Sequence, residues 1–539
     1  MTACKKPLCA ILAFILVFAF IAAAPVSVFA EDGEETTFSA QEIEVNKEVD
    51  GDFEFVRIDE GSSIEIVGYT GSDKEVDIPS KINSLSVISI GANAFEGNTT
   101  MEKVKLHTDI MTVGDGAFKN CTALKEFDNA DAVESFGVSA FEGCVSMPEF
   151  VIPDNVTTIP EKCFAGCKAL SEIKEHKNLK NVAADAFTGT AWENAKEDGA
   201  LSFGRVLYSY KGNLSEIVIP KGVSIVEDYA FLGNENLTKV VFGVDVEEIG
   251  LYAFQNCVNL KTVEFDDAMG IVSAGAFKGC SSLTAADFSE TTLAAIGYEA
   301  FSGCTSLTEV KLSETLSDIG DYAFAGTKIA TLEFFKNVNG INATAFDGVK
   351  TLTGISVVDK NKTFKAVDGV LYTKDGKAIV VYPSAKQGAF EIPAEVEAIN
   401  DKAFKGAAVG AVTLAEGSSL NYIGVSAFED SAVTAVTIPE NVTNINSAAF
   451  KNAAKLAKIT FTEGLTYIGA AAFEGCTSLT AIELPATMET IANGAFRNAG
   501  LKSVKTGDGL AKISAEAFAG NKALATVVLG KNVEKLGVD

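Results

Sequence analysis

The sequence predicts a repeat solenoid, with a parallel β-sheet along one face and short helical or 3₁₀ turns on the return side. The first observation is a phenylalanine, mostly in the pair Ala-Phe, that returns every 22–24 residues. The second is a set of apolar positions at fixed distances from it. A fixed period of this length is typical of stacked repeats and not of a globular enzyme. The phenylalanines are Phe95, Phe118, Phe141, Phe164, Phe187, Phe231, Phe254, Phe277, Phe301, Phe324, Phe346, Phe404, Phe428, Phe450, Phe473, Phe496 and Phe518.

The repeat that starts at Phe301 shows how one coil is built. Val310 lies between two polar residues, Glu309 and Lys311, and this alternation predicts a short strand with one buried face. The segment Ile-Gly-x-x-Ala-Phe-x-x-Cys has apolar spacings of three and four, which favour a turn of α- or 3₁₀-helix. We expect the Phe ring to fill the space between the strand and the return segment. One unit is too small to bury its own apolar face, so stability must come from its neighbours.

Two repeats carry a family resemblance: LTEVKLSETLSDIGDYAFAGT, which starts at Leu307, and LTAIELPATMETIANGAFRNA, which starts at Leu479. They resemble the leucine-rich repeat of BspA-like bacterial surface proteins, and the resemblance covers about residues 78–539. It implies a curved leucine-rich-repeat arc that is exported and used in binding or adhesion. It brings no catalytic residue with it.

The N-terminus is typical of a signal peptide. Lys5 and Lys6 precede an uncharged apolar run over residues 8–24, and Val28-Phe29-Ala30 is a small-residue cleavage motif. Cleavage after Ala30 predicts a secreted or surface protein without a transmembrane segment; a retained membrane anchor is the alternative. Loss of the two lysines would change the net charge from −28 to −30. Such acidity disfavours nucleic acid and anionic membranes as partners.

Two longer intervals interrupt the repeats, 44 residues before Phe231 and 58 before Phe404. In the second, Asp375-Gly376 between two β-rich runs predicts a hairpin. Both intervals resemble the D-G-V-L-Y insertions of BspA-like proteins. They either carry partner contacts or are irregular repeats. The predicted division is a signal peptide (1–30), an acidic segment with a β cap (31–78), an N-terminal solenoid segment (79–190), an irregular insertion (191–220), a central solenoid segment (221–355), a β-hairpin insertion (356–392) and a C-terminal solenoid segment (393–539).

The cysteines follow the repeat. Of the eight after residue 30, seven lie three positions after a phenylalanine, and Cys163 replaces the alanine of an Ala-Phe pair. Other repeats hold Thr, Asn, Val or Ala in the same position, which favours buried thiols over disulfides. Cys163 and Cys167 lack a second pair of metal ligands, so we expect no metal site.

Other candidate chemistry is sparse. His107 and His176 occur in the same register three coils apart, and we expect both in solvent-facing loops. With no third histidine, no His-based catalytic site can be assembled, so we expect no enzyme and no cofactor. Trp192, the single tryptophan, lies in the first irregular interval. It is either a partner anchor or, the interpretation we favour, a packing residue.

The register of the repeat predicts the binding surface. Residues eight and ten positions after each phenylalanine should line the open, concave face of the sheet, a broad and rigid surface suited to binding proteins. The mixed charges on this face do not identify a ligand. The candidate residues are Lys103, Lys105, Glu126, Asp128, Glu172, Lys174, Thr262, Glu264, Glu309, Lys311, Lys458 and Thr460.

We therefore expect a monomeric, secreted or cell-surface leucine-rich-repeat rod that binds proteins. Adhesion to host extracellular-matrix or cell-surface proteins is what the resemblance implies. The alternative is a structural spacer or targeting module for another, possibly enzymatic, domain beyond residue 539. The repeat register places the next Ala-Phe directly after Asp539, which favours a chain that continues.

Overall fold

The computed structural model describes residues 26–29, 35–38, 47–341 and 343–537. The chain is a β-solenoid in which each repeat forms one coil, as predicted. Apart from the strand Val26–Phe29, which pairs antiparallel with Glu35–Phe38, the predicted signal peptide lies outside the described residues. The same holds for Cys4, Cys9, the cleavage position Ala30 and the terminal Asp539.

One strand in each coil forms what we call the first ladder. It is the strand predicted from the alternating pattern: Val310 is 7% exposed, while Glu309 and Lys311 beside it are exposed. Neighbouring strands pair in parallel and in register. The first-ladder strands are Glu75–Asp77, Lys103–Lys105, Glu126–Asp128, Glu149–Val151, Glu172–Lys174, Glu216–Val218, Lys239–Val241, Thr262–Glu264, Ala285–Asp287, Glu309–Lys311, Thr331–Phe334, Gly354–Val357, Gly388–Ile392, Val409–Leu414, Ala435–Ile438, Lys458–Phe461, Ala481–Glu483, Ser503–Lys505 and Thr526–Val528.

A second ladder, which the sequence did not predict, runs along another side of the coils. In most coils its strand has two residues, of which the second is an inward-facing apolar residue such as Ile319. These strands also pair in parallel. They are Leu85–Ile90, Thr112–Val113, Ser135–Phe136, Thr158–Ile159, Asn181–Val182, Ile225–Val226, Glu248–Ile249, Ile271–Val272, Ala295–Ile296, Asp318–Ile319, Ala398–Ile399, Tyr422–Ile423, Asn444–Ile445, Tyr467–Ile468, Thr490–Ile491, Lys512–Ile513 and Lys535–Leu536.

The return segment around each phenylalanine consists of hydrogen-bonded turns, as predicted, with little regular helix. The N–H of Cys304 donates to the carbonyl of Phe301 within the coil, and the N–H of Phe301 donates to the carbonyl of Ala323 in the next coil. The described residues hold one short α-helix and three 3₁₀ turns: Ala191–Asn194, Asp59–Gly61, Ala130–Ala132 and Ala343–Phe346.

The phenylalanine rings stack along the solenoid and fill its interior, as expected. Phe301 is fully buried, and its ring centroid lies 5.3 Å from that of Phe277 and 5.8 Å from that of Phe324. The ring planes of both pairs are within 11° of parallel. Each ring therefore packs on its neighbours above and below.

Additional strands stand at the start and at the two insertions. Before the first coil, a β-meander packs Tyr69 against Phe95, with 5.3 Å between the ring centroids and the ring planes tilted by 32°. At each insertion the added strands join the second ladder instead of projecting from it. The meander strands are Glu48–Asp50, Phe53–Ile58 and Ser63–Tyr69. Lys81–Ile82 pairs antiparallel with the second-ladder strand Leu85–Ile90. The insertion strands are Gly199–Phe203 and Val206–Lys211, then Phe364–Val367, Val370–Thr373 and Ala378–Val381.

Candidate functional site: the outward face of the first ladder

All twelve predicted face residues lie on first-ladder strands, where each flanks a central apolar residue that is buried or, for Phe127 and Ile459, half-buried. Lys103, Lys105 and Asp128 are half-buried, and the other nine are exposed. The strand alternation therefore turns these side chains outward, onto one face that continues from coil to coil. Its role in binding stays a prediction.

Ion pairs between adjacent coils neutralise most of the lysines on this face. Lys103 bridges Glu126 and Asp128, and its Nζ lies 2.6 Å from the Asp128 carboxylate. The hydrogen bonds to these two carboxylates raise the pKa of Lys103. Lys311 likewise pairs with Asp287 at 2.7 Å and with Glu309 at 3.7 Å. Ion pairs at a solvated surface contribute little to stability, so a partner could replace them at low cost.

Several acidic side chains on the same face have no such partner. Glu149, Glu333 and Glu391 make no ion pair among the described residues. Because most lysines of the face are already paired, the face presents an excess of negative charge. That sign matches the chain as a whole, which has a net charge of −28.

The second insertion adds a recess of about 840 Å³ to this face. Glu309, Lys311, Glu333 and Ser356 line it, and Gly369 of the insertion forms one side of its wall. The carbonyl of Gly369 accepts a hydrogen bond of 2.9 Å from the N–H of Ile355, which fixes the insertion against the first ladder. Sequence reasoning found Glu309 and Lys311 from the register but gave no sign of the recess.

The first insertion adds another recess, of about 460 Å³, whose lining includes Lys174, Trp192, Lys196 and Gly204. Trp192 is half-buried and its ring packs against Phe187, with 5.1 Å between ring centroids. The tryptophan therefore packs across the irregular coil, as favoured, and also lines an open recess. Lys196 was missed, because it belongs to no repeat register.

The cysteines are packing residues of the solenoid interior. All eight in the described residues are buried and free, as predicted. The Cys304 thiol donates to the Phe277 carbonyl at 3.1 Å, and six other coils repeat this bond. Burial raises the pKa of the thiols of Cys121, Cys304 and Cys476 to about 12, so they are protonated at neutral pH.

The two histidines are half-buried, in place of the solvent-facing position expected for them. The Nδ1 of His107 accepts the N–H of Asp109, and His176 repeats the contact with Asn178, both at 3.2 Å. Each histidine thus closes a local turn. Within the described residues no three His, Cys, Asp or Glu side chains come together as metal ligands.

No helix in the described portion of the chain is both long and apolar enough to cross a membrane. No curated protein sequence matches the chain. It is similar in structure to a leucine-rich cell-surface protein from Faecalibacterium prausnitzii, with 21% identity over 89% of this chain and 94% of that one and a TM-score of 0.42. It is also similar to a leucine-rich-repeat protein from Eubacterium ventriosum, with 22% identity over 62% of this chain and 87% of that one and a TM-score of 0.48. A leucine-rich-repeat protein from Bacteroides ovatus shows 23% identity over 81% of this chain and 94% of that one, with a TM-score of 0.34.

The family model for BspA-type leucine-rich-repeat regions (six copies) matches residues 73–196, 202–293, 288–367, 381–476 and 443–539. These matches take in nearly all of the coils described above. The chain therefore belongs to the BspA-type leucine-rich-repeat family.

Proposed function

We propose that this protein is exported after cleavage near Ala30 and binds other proteins at the cell surface through the outward face of its first ladder. Host extracellular-matrix or cell-surface proteins are the proposed partners, and adhesion is the proposed role. The observation that carries the proposal is the face itself. It runs from coil to coil with charged side chains held in register, and each insertion adds a recess to it.

The chemistry of the face suits protein recognition. Its lysine–carboxylate pairs are solvent-exposed, so exchanging them for contacts with a partner carries little desolvation cost. The strands beneath are held in place, because most of their central residues are buried and neighbouring strands pair in register. Little ordering entropy would be lost on binding.

The test is a capture experiment with residues 31–539 immobilised against purified extracellular-matrix proteins. We expect saturable binding that weakens when Lys103, Lys105, Glu309 and Lys311 are reversed in charge. The matched control reverses three lysines and one glutamate that are exposed outside the first-ladder strands, so the net charge changes by the same amount: Lys328, Lys455, Lys522 and Glu290. If no protein is captured, the alternative of a spacer or targeting module for another domain is favoured.

A further inference from the structure

We propose that the recess at the first insertion, which we call the Trp192 recess, binds a cationic side chain, arginine or lysine, of the protein partner. The inference rests on the proposed function, because the recess opens beside first-ladder strands. To the proposed function it adds the chemical class of the partner group that binds in the recess.

The tryptophan ring supplies a surface that attracts cations. Trp192 packs against the tilted ring of Phe187 and, edge to face, against Phe203, whose ring centroids lie 5.1 and 5.4 Å from its own. The indole is therefore fixed in orientation, while some of its surface lines the recess. The face of an indole is the strongest of the aromatic surfaces for a cation.

A cation of the chain itself already occupies this surface. The Nζ of Lys196 lies 4.1 Å from the centroid of the Trp192 ring. Lys196 is exposed and stands on a loop next to the short helix Ala191–Asn194. Because the lysine is solvent-exposed, its ammonium can move into water and leave the ring to a cation from a partner. Lys196 thus shows where such a cation would bind.

Carboxylates lie at the recess and in the hollow beside it. Glu175 lines the recess together with Lys174, which is itself paired with Glu172 at 3.9 Å, and three more acidic residues line an adjoining hollow of about 360 Å³ that shares Lys196: Glu197, Asp198 and Glu216. Glu197 and Asp198 make no ion pair with any described residue. These charges attract a cationic group, repel an anionic one and can accept the N–H donors of a guanidinium.

The single tryptophan makes the recess directly observable. Trp192 is the only tryptophan in the chain, so tryptophan fluorescence of residues 31–539 reports on this recess. The probe is a short acetylated and amidated Gly-Ser peptide that carries two arginines. Its control carries citrulline in place of arginine, which keeps the shape and removes the charge. Lys196→Met is the test variant, and Lys522→Met, an exposed lysine in the last coil, is the matched control.

We expect the arginine peptide to change the fluorescence saturably and the citrulline peptide to leave it unchanged. Lys196→Met should bind the arginine peptide roughly two- to fivefold more tightly, because the competing ammonium is gone. Lys522→Met should bind it as the unmodified chain does. Equal binding of the two peptides, no response to either, or unchanged affinity of Lys196→Met would each overturn the proposal.

The outcome is separable from the capture experiment. Binding of the arginine peptide without capture of any matrix protein would support the Trp192 recess and count against the proposed function. Capture of a matrix protein by a chain that does not bind the arginine peptide would support the proposed function and count against the Trp192 recess as a cation site.

Discussion

At the residue scale, each repeating phenylalanine acts through its ring and through its main chain. The ring stacks between those of adjacent coils, as Phe301 does between Phe277 and Phe324. The carbonyl of Phe277 accepts a hydrogen bond from the thiol of Cys304 in the next coil. In the coil of Phe518 an amide makes the equivalent hydrogen bond, since Nδ2 of Asn521 donates to the Phe496 carbonyl at 2.7 Å. A small donor at this position satisfies a buried acceptor, which explains why the cysteines need no disulfide partner.

We predict that Phe301→Ala lowers the free energy of unfolding by about 3–5 kcal/mol, because it opens a cavity in a fully buried stack. Urea denaturation followed by circular dichroism measures the loss. Lys328→Ala, an exposed residue of the following coil, is the control and should change stability by less than about 0.5 kcal/mol. A negligible effect of Phe301→Ala would contradict the stacked interior.

At the element scale, left-handed residues shape the return segment. In the coil of Phe301, Glu299 has φ 54° and Gly303 has φ 75°, one on each side of the phenylalanine. The same two positions are left-handed in most coils. A helix cannot continue through such residues, so the backbone stays flat and bonds to the next coil instead. The second position holds Gly, Asn or Asp, the residues that tolerate this conformation.

We predict that Gly303→Ala destabilises the protein by about 1 kcal/mol and that Gly303→Asn costs clearly less. The added Cβ meets nothing closer than 3.6 Å, so the cost comes from the backbone conformation and not from a clash. Asn256 occupies the equivalent position with φ 59° and shows that asparagine fits. Urea midpoints of the two variants provide the comparison. Equal losses would show that space, and not φ, sets the residue type.

The break in the second ladder at the first insertion is closed by a side chain. Asn181–Val182 has no following second-ladder strand to pair with, and the Glu227 carboxylate accepts the Val182 N–H at 3.4 Å and the Asn181 Nδ2 at 3.2 Å. Lys180, Arg205, Asp228 and Glu248 line the cavity around it. Burial raises the pKa of Glu227 to about 7.

This pKa predicts a pH dependence of stability. A carboxyl whose pKa is raised by folding binds its proton more tightly in the folded chain, so stability falls as pH rises from about 4.5 to about 7. Glu227→Gln should reduce this slope, measured as the difference in urea midpoint between about pH 5 and about pH 8. Glu290→Gln, an exposed control, should leave the slope unchanged. An unchanged slope in Glu227→Gln would contradict the assignment.

At the scale of the whole molecule, the sequence predicted the coils but not how they are joined. The period of Phe301 and the alternation around Val310 identified the coil and the first ladder, because both recur in every repeat. The second ladder was missed because a strand such as Asp318–Ile319 has one inward residue and shows no alternation. The recesses were missed because they depend on where each insertion packs, which repeat register does not encode.

The insertions divide the apolar interior into three clusters and contribute to the clusters on both sides. In the first insertion, Tyr208 belongs to the cluster of the preceding coils, and its ring lies 5.8 Å from that of Phe187. Leu207, the adjacent residue in the strand, belongs to the cluster of the following coils. Both side chains are fully buried. The strand Val206–Lys211 therefore couples the clusters before and after the first insertion through its opposite faces.

This arrangement predicts that substitutions at adjacent residues loosen opposite sides of the insertion. In a stack where each coil contacts only its neighbours, a cavity weakens the nearest coils most. Hydrogen exchange followed by mass spectrometry should show Leu207→Ala raising exchange mainly in residues 216–250, and Tyr208→Ala raising it mainly in residues 158–187. Each variant serves as the control for the other, since the deletions lie one residue apart in one strand. If both variants raised exchange equally on the two sides, the insertion would belong to a single continuous core, and the coupling through opposite faces of one strand would be disproved.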